Sequence, residues 1–342
     1  MQLGIWTPAP LSMRPTPRTQ PAIDGLTKHG GGVDLNFTFA AETLRRAEDL
    51  GFEITLCAQR FLGPDLDSLI HVAALAPMTR TIQLMPAVHP GIMDPRVAAK
   101  QLASIDRISG GRACINIING GRAHEFAVYG DWLEHSSPRY RRMREFIQVM
   151  RGMWTSDDFN FDGEFYKIAH GTVPTKSVRE PHIPIFAASR VDEGMDVVSR
   201  ECDLWFLNYD RDFRNYEASL KRVESERALM EKRTRELGRK MRYGINAVIL
   251  IADTDAEAVA IAEEWEQQLA RDPSIFSASS GMGAAIIGSR ATVLERIRRY
   301  AAMGVDLFMF QFYPMREGLD DFAQKILPEL RRDLETRAVA AR

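Results

Sequence analysis

Short apolar runs alternate with longer amphipathic segments along most of the chain. The amphipathic segments carry apolar side chains at helical spacing, and pairs such as Asp94-Pro95 and Ser137-Pro138 mark helix starts. The short runs are almost continuously apolar, which is typical of parallel strands buried on both faces. They lie at 3–7, 54–58, 81–88, 113–118, 183–188, 203–208, 243–252 and 305–312.

Eight strands that alternate with helices predict an α/β fold, a TIM (β/α)8 barrel with insertions, formed by a single domain over residues 1–342. A doubly wound parallel sheet is the competing architecture. Three segments interrupt the alternation. Residues 8–35, rich in Pro, Gly and Thr, predict a long loop, residues 157–170 predict an inserted β-hairpin, and residues 271–287 predict a mobile loop.

The composition narrows the class of protein. The chain has 44 basic and 46 acidic residues. Because it has no excess of positive charge, binding to nucleic acid or to an anionic membrane is not predicted. No apolar run reaches the ~18–20 residues of a membrane span, and the N-terminus lacks the pattern of a secretory signal. Cys57, Cys114 and Cys202 are odd in number and widely spaced, which predicts reduced thiols in a cytoplasmic protein.

Several common kinds of catalytic site are missing from the sequence. It contains no H-E-x-x-H or C-x-x-C motif, so no metal site is predicted. It contains no Walker A loop, no strand–GxGxxG–helix pattern and no G-x-S-x-G elbow. If the protein is an enzyme, a bound organic cofactor is the natural source of its reactivity.

Four stretches together resemble the bacterial luciferase-like flavin monooxygenases, especially the branch that oxygenates alkanesulfonates, dimethylsulfone and pyrimidine rings. They are GFEITLCAQRF (51–61), AAKQLASIDRISGGRACINIINGGRAHEF (98–126), DWLEHSSPRYRRMREFIQVMRGMWT (131–155) and IPIFAASRVDEGMDVVSRECDLWF (183–206).

This resemblance implies a two-component FMN-dependent monooxygenase. Such an enzyme uses O2 and reduced FMN, supplied by a separate NAD(P)H-dependent flavin reductase, to oxygenate a small organic substrate such as a sulfone, a sulfonate or a cyclic amide. Members of the family are commonly homodimers or homotetramers. Two alternatives stay open: a deazaflavin- or flavin-dependent hydride-transfer oxidoreductase on the same barrel, and a non-catalytic flavin-binding protein.

The resemblance also implies which residues hold the cofactor. Asn116 would lie beside the reactive edge of the flavin ring, and Glu125 near a ring or ribityl group. Gln59 and Arg60 would contact the flavin, where a cation stabilises the anionic reduced ring. The phosphate end would be held by residues at two helix starts, namely Arg139, Tyr140, Ser189 and Arg190.

Residues at the carboxyl ends of the predicted strands are candidates for catalysis and substrate binding, because TIM barrels keep their active sites there. Asn116 and His89 are the catalytic candidates. His89 is also a candidate substrate contact or proton donor, together with Trp6 and Tyr313 as substrate contacts. Trp6 and Tyr313 could instead be packing residues, and His89 could instead be a rim histidine whose hydrogen bonds are satisfied within the protein. Positions that carry chemistry in individual branches hold Ala87, Gly121 and Val248 here, so the substrate stays open.

Overall fold

The computed structural model describes residues 1–8, 34–63, 65–120, 123–210, 212–271, 284, 286–312 and 314–340, without the side chains at 35, 268–271 and 334–340. Within these residues the strands are β1 (Gln2–Trp6), β2 (Ile54–Cys57), β3 (Gln83–Val88), β4 (Ile115–Ile117), β5 (Phe159–Asp162), β6 (Lys167–Gly171), β7 (Ile185–Ala188), β8 (Leu204–Phe206), β9 (Arg242–Ala252), β10 (Ile286–Ser289) and β11 (Leu307–Phe312).

The helices of the described residues separate most of these strands. They are α1 (Leu35–Asp49), α2 (Ser68–Leu75), α3 (Pro95–Ser109), α4 (Ala123–Tyr129), α5 (Ser136–Thr155), α6 (Asp192–Glu201), α7 (Tyr216–Glu236), α8 (Asp255–Arg271), α9 (Arg290–Ala302), α10 (Met315–Lys325) and α11 (Leu327–Ala340). None of the helices in the described part of the chain is long and apolar enough to cross a membrane.

Strands β1, β2, β3, β4, β7, β8, β9 and β11 are the parallel strands of a closed (β/α)8 barrel. Each overlaps one of the eight predicted runs, so the TIM-barrel prediction is confirmed and the doubly wound sheet is wrong. The sequence pattern does not predict β10, which pairs in parallel with residues 249–252 of β9. This four-residue strand leads directly into α9, so no turn signal separates the two elements.

The three predicted interruptions are described to different extents. Residues 9–33 of the predicted loop 8–35 lie outside the described residues, and its last residues begin α1, where the Asp34 carboxylate accepts a hydrogen bond from the Phe37 N–H at 2.9 Å. In the predicted hairpin segment 157–170, β5 and β6 pair in antiparallel fashion. Most of the predicted mobile loop 271–287 also lies outside the described residues, and its last two positions belong to β10.

The chain divides into two compact units. One comprises residues 1–52, 207–226 and 243–342, and its strands are neighbours in the order β10, β9, β11, β1. The other, which we call the central unit, comprises residues 53–206 and 227–242 and has the strand order β2, β3, β4, β7, β8. All eight predicted cofactor-binding residues and His89 lie in the central unit.

Two charged side chains fix the connection from α3 to β4, namely Asp106, which is buried, and Arg112, which is half-buried. The Asp106 carboxylate is fully buried and accepts hydrogen bonds from the backbone N–H groups of Ala113, Val178 and Arg179, at 3.2, 2.7 and 2.9 Å. The Arg112 guanidinium donates to the backbone carbonyls of four residues around it, namely Ala76, Thr79, Ile82 and Ser109. These bonds define where β4 begins and therefore where Asn116 lies.

The chain can turn between these two residues because Gly110 and Gly111 both adopt positive φ, at 70° and 86°. Gly110 ends α3 in the left-handed conformation that favours glycine. The stretch DRISGGR within the family-like segment therefore has a structural explanation, since Asp106 and Arg112 bond on either side of the two-glycine turn.

We expect Asp106→Ala to lower the free energy of unfolding by about 3 kcal/mol or more, because three backbone N–H groups lose a fully buried carboxylate acceptor. The measurement is urea denaturation at neutral pH. Asp157→Ala is the control, since its side chain is 95% exposed and pairs only at the surface with Lys176. The control should change stability by less than about 0.5 kcal/mol. Equal shifts for the two variants would contradict this account of the turn.

Candidate active site

The candidate residues of the central unit follow the carboxyl ends of its parallel strands. Gln59 and Arg60 follow β2, His89 follows β3, and Ser189 follows β7, while Asn116 lies within β4. Because carboxyl ends of parallel strands meet at one edge, these residues are brought to the same rim of the unit. Among the described residues, no group of three His, Cys, Asp or Glu side chains is placed to hold a metal ion.

Asn116 is the polar residue of the apolar strand Ile-Asn-Ile. It is opposite Ala87 of β3 and Phe186 of β7, and it is 5% exposed. Its side-chain oxygen Oδ1 is buried and has no hydrogen-bond partner among the described residues. A buried polar atom left unpaired costs about 1–3 kcal/mol, which makes this oxygen a candidate acceptor for a group of a bound ligand.

Tyr140 on α5 and Ser189 after β7 form the second part of the site. The Tyr140 hydroxyl lies 3.1 Å from Ser189 Oγ, and Ser189 Oγ accepts a hydrogen bond from the Val191 N–H at 3.2 Å, just before α6 begins. Gly194 in the first turn of α6 packs against both side chains, because a Cβ there would lie 2.0 Å from Ser189 Oγ and 2.4 Å from the Tyr140 ring. The free N–H groups of a helix start favour an anion at this position. Arg190, next to Ser189, is exposed.

Arg139 begins the same helix as Tyr140 but bonds mainly to its own loop. Its guanidinium donates to the backbone carbonyls of Leu133 and Glu134 at 2.7 and 3.1 Å, and it stacks on the Trp132 ring at 4.5 Å. The Nε–H of Arg139 has no partner among the described residues. Part of the guanidinium is therefore used to hold the loop before α5.

Gln59 and Arg60 both make bonds within their own segment. The Gln59 side-chain oxygen accepts a hydrogen bond from the Ser68 N–H at 2.6 Å and so helps to cap α2. The Arg60 guanidinium forms a two-pronged ion pair with Asp65, and both side chains are less than a tenth exposed. If Gln59 and Arg60 contact the flavin as predicted, they must do so while they keep these bonds to Ser68 and Asp65.

His89 lies in a cluster of aromatic rings with Phe61, Phe126, Tyr129 and Trp132. Its ring centre is 5.8 Å from that of Phe61 and 6.1 Å from that of Phe126, which in turn lies 5.2 Å from Trp132. Tyr129 packs on Phe61 at 5.2 Å. This aromatic cluster joins the loop after β2, the end of β3, helix α4 and the loop before α5.

Burial controls the charge of His89. It lowers the pKa of the imidazole to about 4, against smaller opposing effects of the Glu125 carboxylate and a hydrogen bond with the Gln59 backbone. The ring is therefore neutral at pH 7. Glu125 is itself 3% exposed, and its Oε1 accepts a hydrogen bond from the Leu62 N–H at 3.5 Å.

One of the remaining candidates, Trp6, lies in the other unit. Trp6 is half-buried at the end of β1, and its indole N–H has no partner among the described residues. Tyr313 lies outside the described residues.

Sequence reasoning missed four residues that shape the central unit's site: Asp65, Phe126, Trp132 and Gly194. Phe126 and Trp132 lie within or beside the family-like stretches, and two aromatic residues so close to Glu125 could have drawn attention. A glycine in the first turn of a predicted helix is a signal of close packing, which could have identified Gly194. Nothing in the pattern around Asp65 distinguishes it from an ordinary loop carboxylate.

Comparison with known proteins identifies the family. The family model of the luciferase-like monooxygenases matches residues 1–307, and the chain belongs to that family. It is 31% identical over 331 residues to the FMNH2-dependent dimethylsulfone monooxygenase of Pseudomonas putida, covering 86% of this chain and 88% of that protein. The predicted family and the prediction that the protein is a monooxygenase enzyme are thus confirmed.

Solved structures show the same fold. A monooxygenase from Streptomyces bottropensis is 20% identical and superposes with a TM-score of 0.74 over 96% of this chain and 100% of that one. The coenzyme F420-dependent tetrahydromethanopterin reductase of Methanopyrus kandleri is 17% identical, with a TM-score of 0.66 over 86% of this chain and 95% of that one. The barrel is therefore shared by proteins whose names describe different reactions.

The lowered pKa of His89 predicts a pH-dependent stability. As the pH falls, the unfolded chain takes up the proton near the ordinary value of 6.5, whereas the folded chain does so only near 4. The free energy of unfolding should therefore decrease as the pH falls through this window, and His89 should account for about 2 kcal/mol of the loss between pH 7 and pH 5.

The measurement is urea denaturation at pH 7 and pH 5 for the wild type, His89→Leu and the control His124→Leu. His124 is exposed on α4, so the control should keep the wild-type difference between the two pH values. His89→Leu should lose that part of the difference. If it kept the full difference, His89 would not be the group that titrates.

Proposed function

We propose that the chain is the oxygenase component of a two-component system that uses O2 and reduced FMN to oxygenate a small organic substrate. The observation that carries the proposal is the unpaired, buried Oδ1 of Asn116, at the same strand edge as Ser189 and Tyr140. The relative from Pseudomonas putida, which is 31% identical, is by name FMNH2-dependent. The shared barrel alone does not distinguish oxygen transfer from hydride transfer. The 31% sequence identity to an FMNH2-dependent monooxygenase favours oxygen transfer.

The residues present fit FMN. The start of α6, with Ser189, Tyr140 and the close-packed Gly194, offers N–H and hydroxyl groups for a phosphate. Asn116 offers a buried acceptor for an N–H group at the edge of the ring. Arg139 and Arg190 add positive charge near the two helix starts, while Gln59, Arg60 and Glu125 line the neighbouring segment. When bound, FMN supplies the redox chemistry with O2 that no side chain of this protein provides.

The chain's own residues orient the reactants and exclude water. Asn116 would hold the ring edge by accepting a hydrogen bond from it, and it lies on a strand whose residues Ile115 and Ile117 are fully buried. The aromatic cluster around His89 keeps the space beside this strand edge apolar, which protects a reactive flavin from water. Because His89 is neutral at pH 7, it acts as a hydrogen-bonding group and not as a source of an acidic proton.

The proposed partners follow from this chemistry. Dependence on reduced FMN calls for a separate NAD(P)H-dependent flavin reductase that supplies it, and O2 is the second substrate. We further propose a cytoplasmic location, which suits three buried cysteine thiols, and a homodimer or homotetramer, as the family resemblance implies.

The test of the function compares Asn116→Ala with the wild type on a panel of sulfones, sulfonates and cyclic amides. We expect O2-dependent product formation to fall by about 100-fold or more, because an interaction preorganised at the reacting group is lost. The affinity for FMN, measured by flavin fluorescence, should change little. Asn160→Ala on the exposed hairpin is the control and should behave as wild type. Wild-type turnover by Asn116→Ala would remove Asn116 from the mechanism.

Gly194→Ala tests the phosphate end of the site. Alanine in a helix is ordinarily favoured over glycine by about 0.5–1 kcal/mol, but here its Cβ would displace Ser189 and Tyr140. We expect the dissociation constant for FMN to rise about tenfold or more, while that for riboflavin, which lacks the phosphate, stays within about twofold. Asp196→Ala on the same helix is the control. Equal loss of both flavins would place the phosphate elsewhere.

A further inference from the structure

The hydrogen bonds of His89 determine what its ring can offer to a ligand. The ring makes a hydrogen bond with the Gln59 backbone that favours its protonated form, so the Gln59 carbonyl is the acceptor. Nδ1 has no partner among the described residues, and we therefore assign the bond to Gln59 to Nε2–H. In a neutral imidazole with its proton on Nε2, Nδ1 is a hydrogen-bond acceptor. His89 therefore presents a buried acceptor that lacks a donor.

This unpaired acceptor is held in place rather than free to turn away. Phe61 and Phe126 meet the ring edge-on, at interplanar angles of 72° in both cases, and His89 is 6% exposed. Rotation of the ring would also break the bond to Gln59. A buried acceptor left unpaired is costly, and this one follows β3, beside the strand that carries Asn116.

The charges of Glu125, Arg60 and Asp65 disfavour an anion beside His89. The Glu125 carboxylate is close enough to the imidazole to affect its titration. Across the same segment, the positive charge of Arg60 is compensated by the buried Asp65 carboxylate. An anionic substrate beside His89 would thus meet a carboxylate and find this guanidinium already paired.

Arg142 is a further buried cation near His89. It lies on α5 beneath the turn that follows His89, where Nη2 donates to the Pro90 carbonyl at 3.4 Å. Gly91 leaves room for it, since a Cβ at Gly91 would lie 2.1 Å from the guanidinium. Tyr166, Asp131 and Arg139 are its electrostatic neighbours, and its Nε–H has no partner among the described residues. Arg142 therefore supports the turn from the α5 side.

We propose that the site selects uncharged substrates that present an N–H or O–H group, and that His89 Nδ1 accepts the hydrogen bond from this group. The inference rests on the proposed function, because it concerns the substrate of the same site. It distinguishes this chain from its relative in Pseudomonas putida, because dimethylsulfone carries no N–H or O–H group. It also disfavours alkanesulfonates, which are anions.

The experiment measures binding of four small probes to the full-length protein loaded with oxidised FMN, by calorimetry. The probes are the lactam pyrrolidinone, its N-methyl derivative, dimethylsulfone and methanesulfonate. We expect pyrrolidinone to bind at least about tenfold more tightly than its N-methyl derivative, which differs mainly in the missing N–H donor. His89→Leu should abolish this preference, and His89→Asn should keep part of it, since its side-chain oxygen is also an acceptor. His124→Leu is the control and should keep all of it.

Three results would overturn the inference: tighter binding of dimethylsulfone or methanesulfonate than of pyrrolidinone, no binding of pyrrolidinone at millimolar concentrations, or an unchanged preference in His89→Leu. Heteronuclear NMR of the imidazole nitrogens gives an independent check. It should find the Nδ1 of His89 unprotonated at pH 7, and a proton on Nδ1 would refute the assignment. Affinity for FMN and O2-dependent oxidation are measured separately, so their failure would refute the proposed function itself.

Discussion

A strand that is buried on both faces cannot hold an unpaired polar atom without cost, and this constraint decides how the central unit works. β4 consists of three residues, and the outer two, Ile115 and Ile117, are completely buried apolar side chains. Between them the sequence places an amide whose oxygen has no partner in the described chain. An apolar residue would stabilise the strand more. This cost is the physical basis of the proposal that the partner of the asparagine arrives with the ligand.

The two ends of this strand treat polar groups in opposite ways. At the amino end, Asp106 and Arg112 have their hydrogen bonds filled by backbone groups, and the connection is rigid. At the carboxyl end, Asn116 and His89 each keep a buried atom without a partner in the described residues. The hydrogen bonds at the amino end stabilise the strand and keep it rigid. Because the strand is rigid, it holds the unpaired groups at its carboxyl end in position. The polar groups at the two ends thus have different physical roles.

The sequence predicts the barrel well because its strands are nearly continuous apolar runs, and such runs report burial directly. It misses β10, which has only four residues and no boundary signal before α9. The site residues depended mainly on the family resemblance. Ser189 and Tyr140 meet in the structure, whereas Gln59 and Arg60 turn out to be bonded within their own segment, to Ser68 and Asp65. The neutral state of His89 could not be predicted, because it arises from burial among rings supplied by separate segments.

A relative at 31% identity tells more about the fold than about the substrate, because the two depend on different parts of the chain. The barrel and the helix start at Ser189 depend on backbone geometry, which tolerates many substitutions. The choice of substrate depends on a few side chains in short loops, where a single carboxylate such as Asp65 cancels the charge of a neighbouring arginine. An ion pair less than a tenth exposed changes the local field much more than it changes the fold. Two proteins of this family can therefore hold the same cofactor in the same barrel and still require substrates of different charge and hydrogen-bonding capacity.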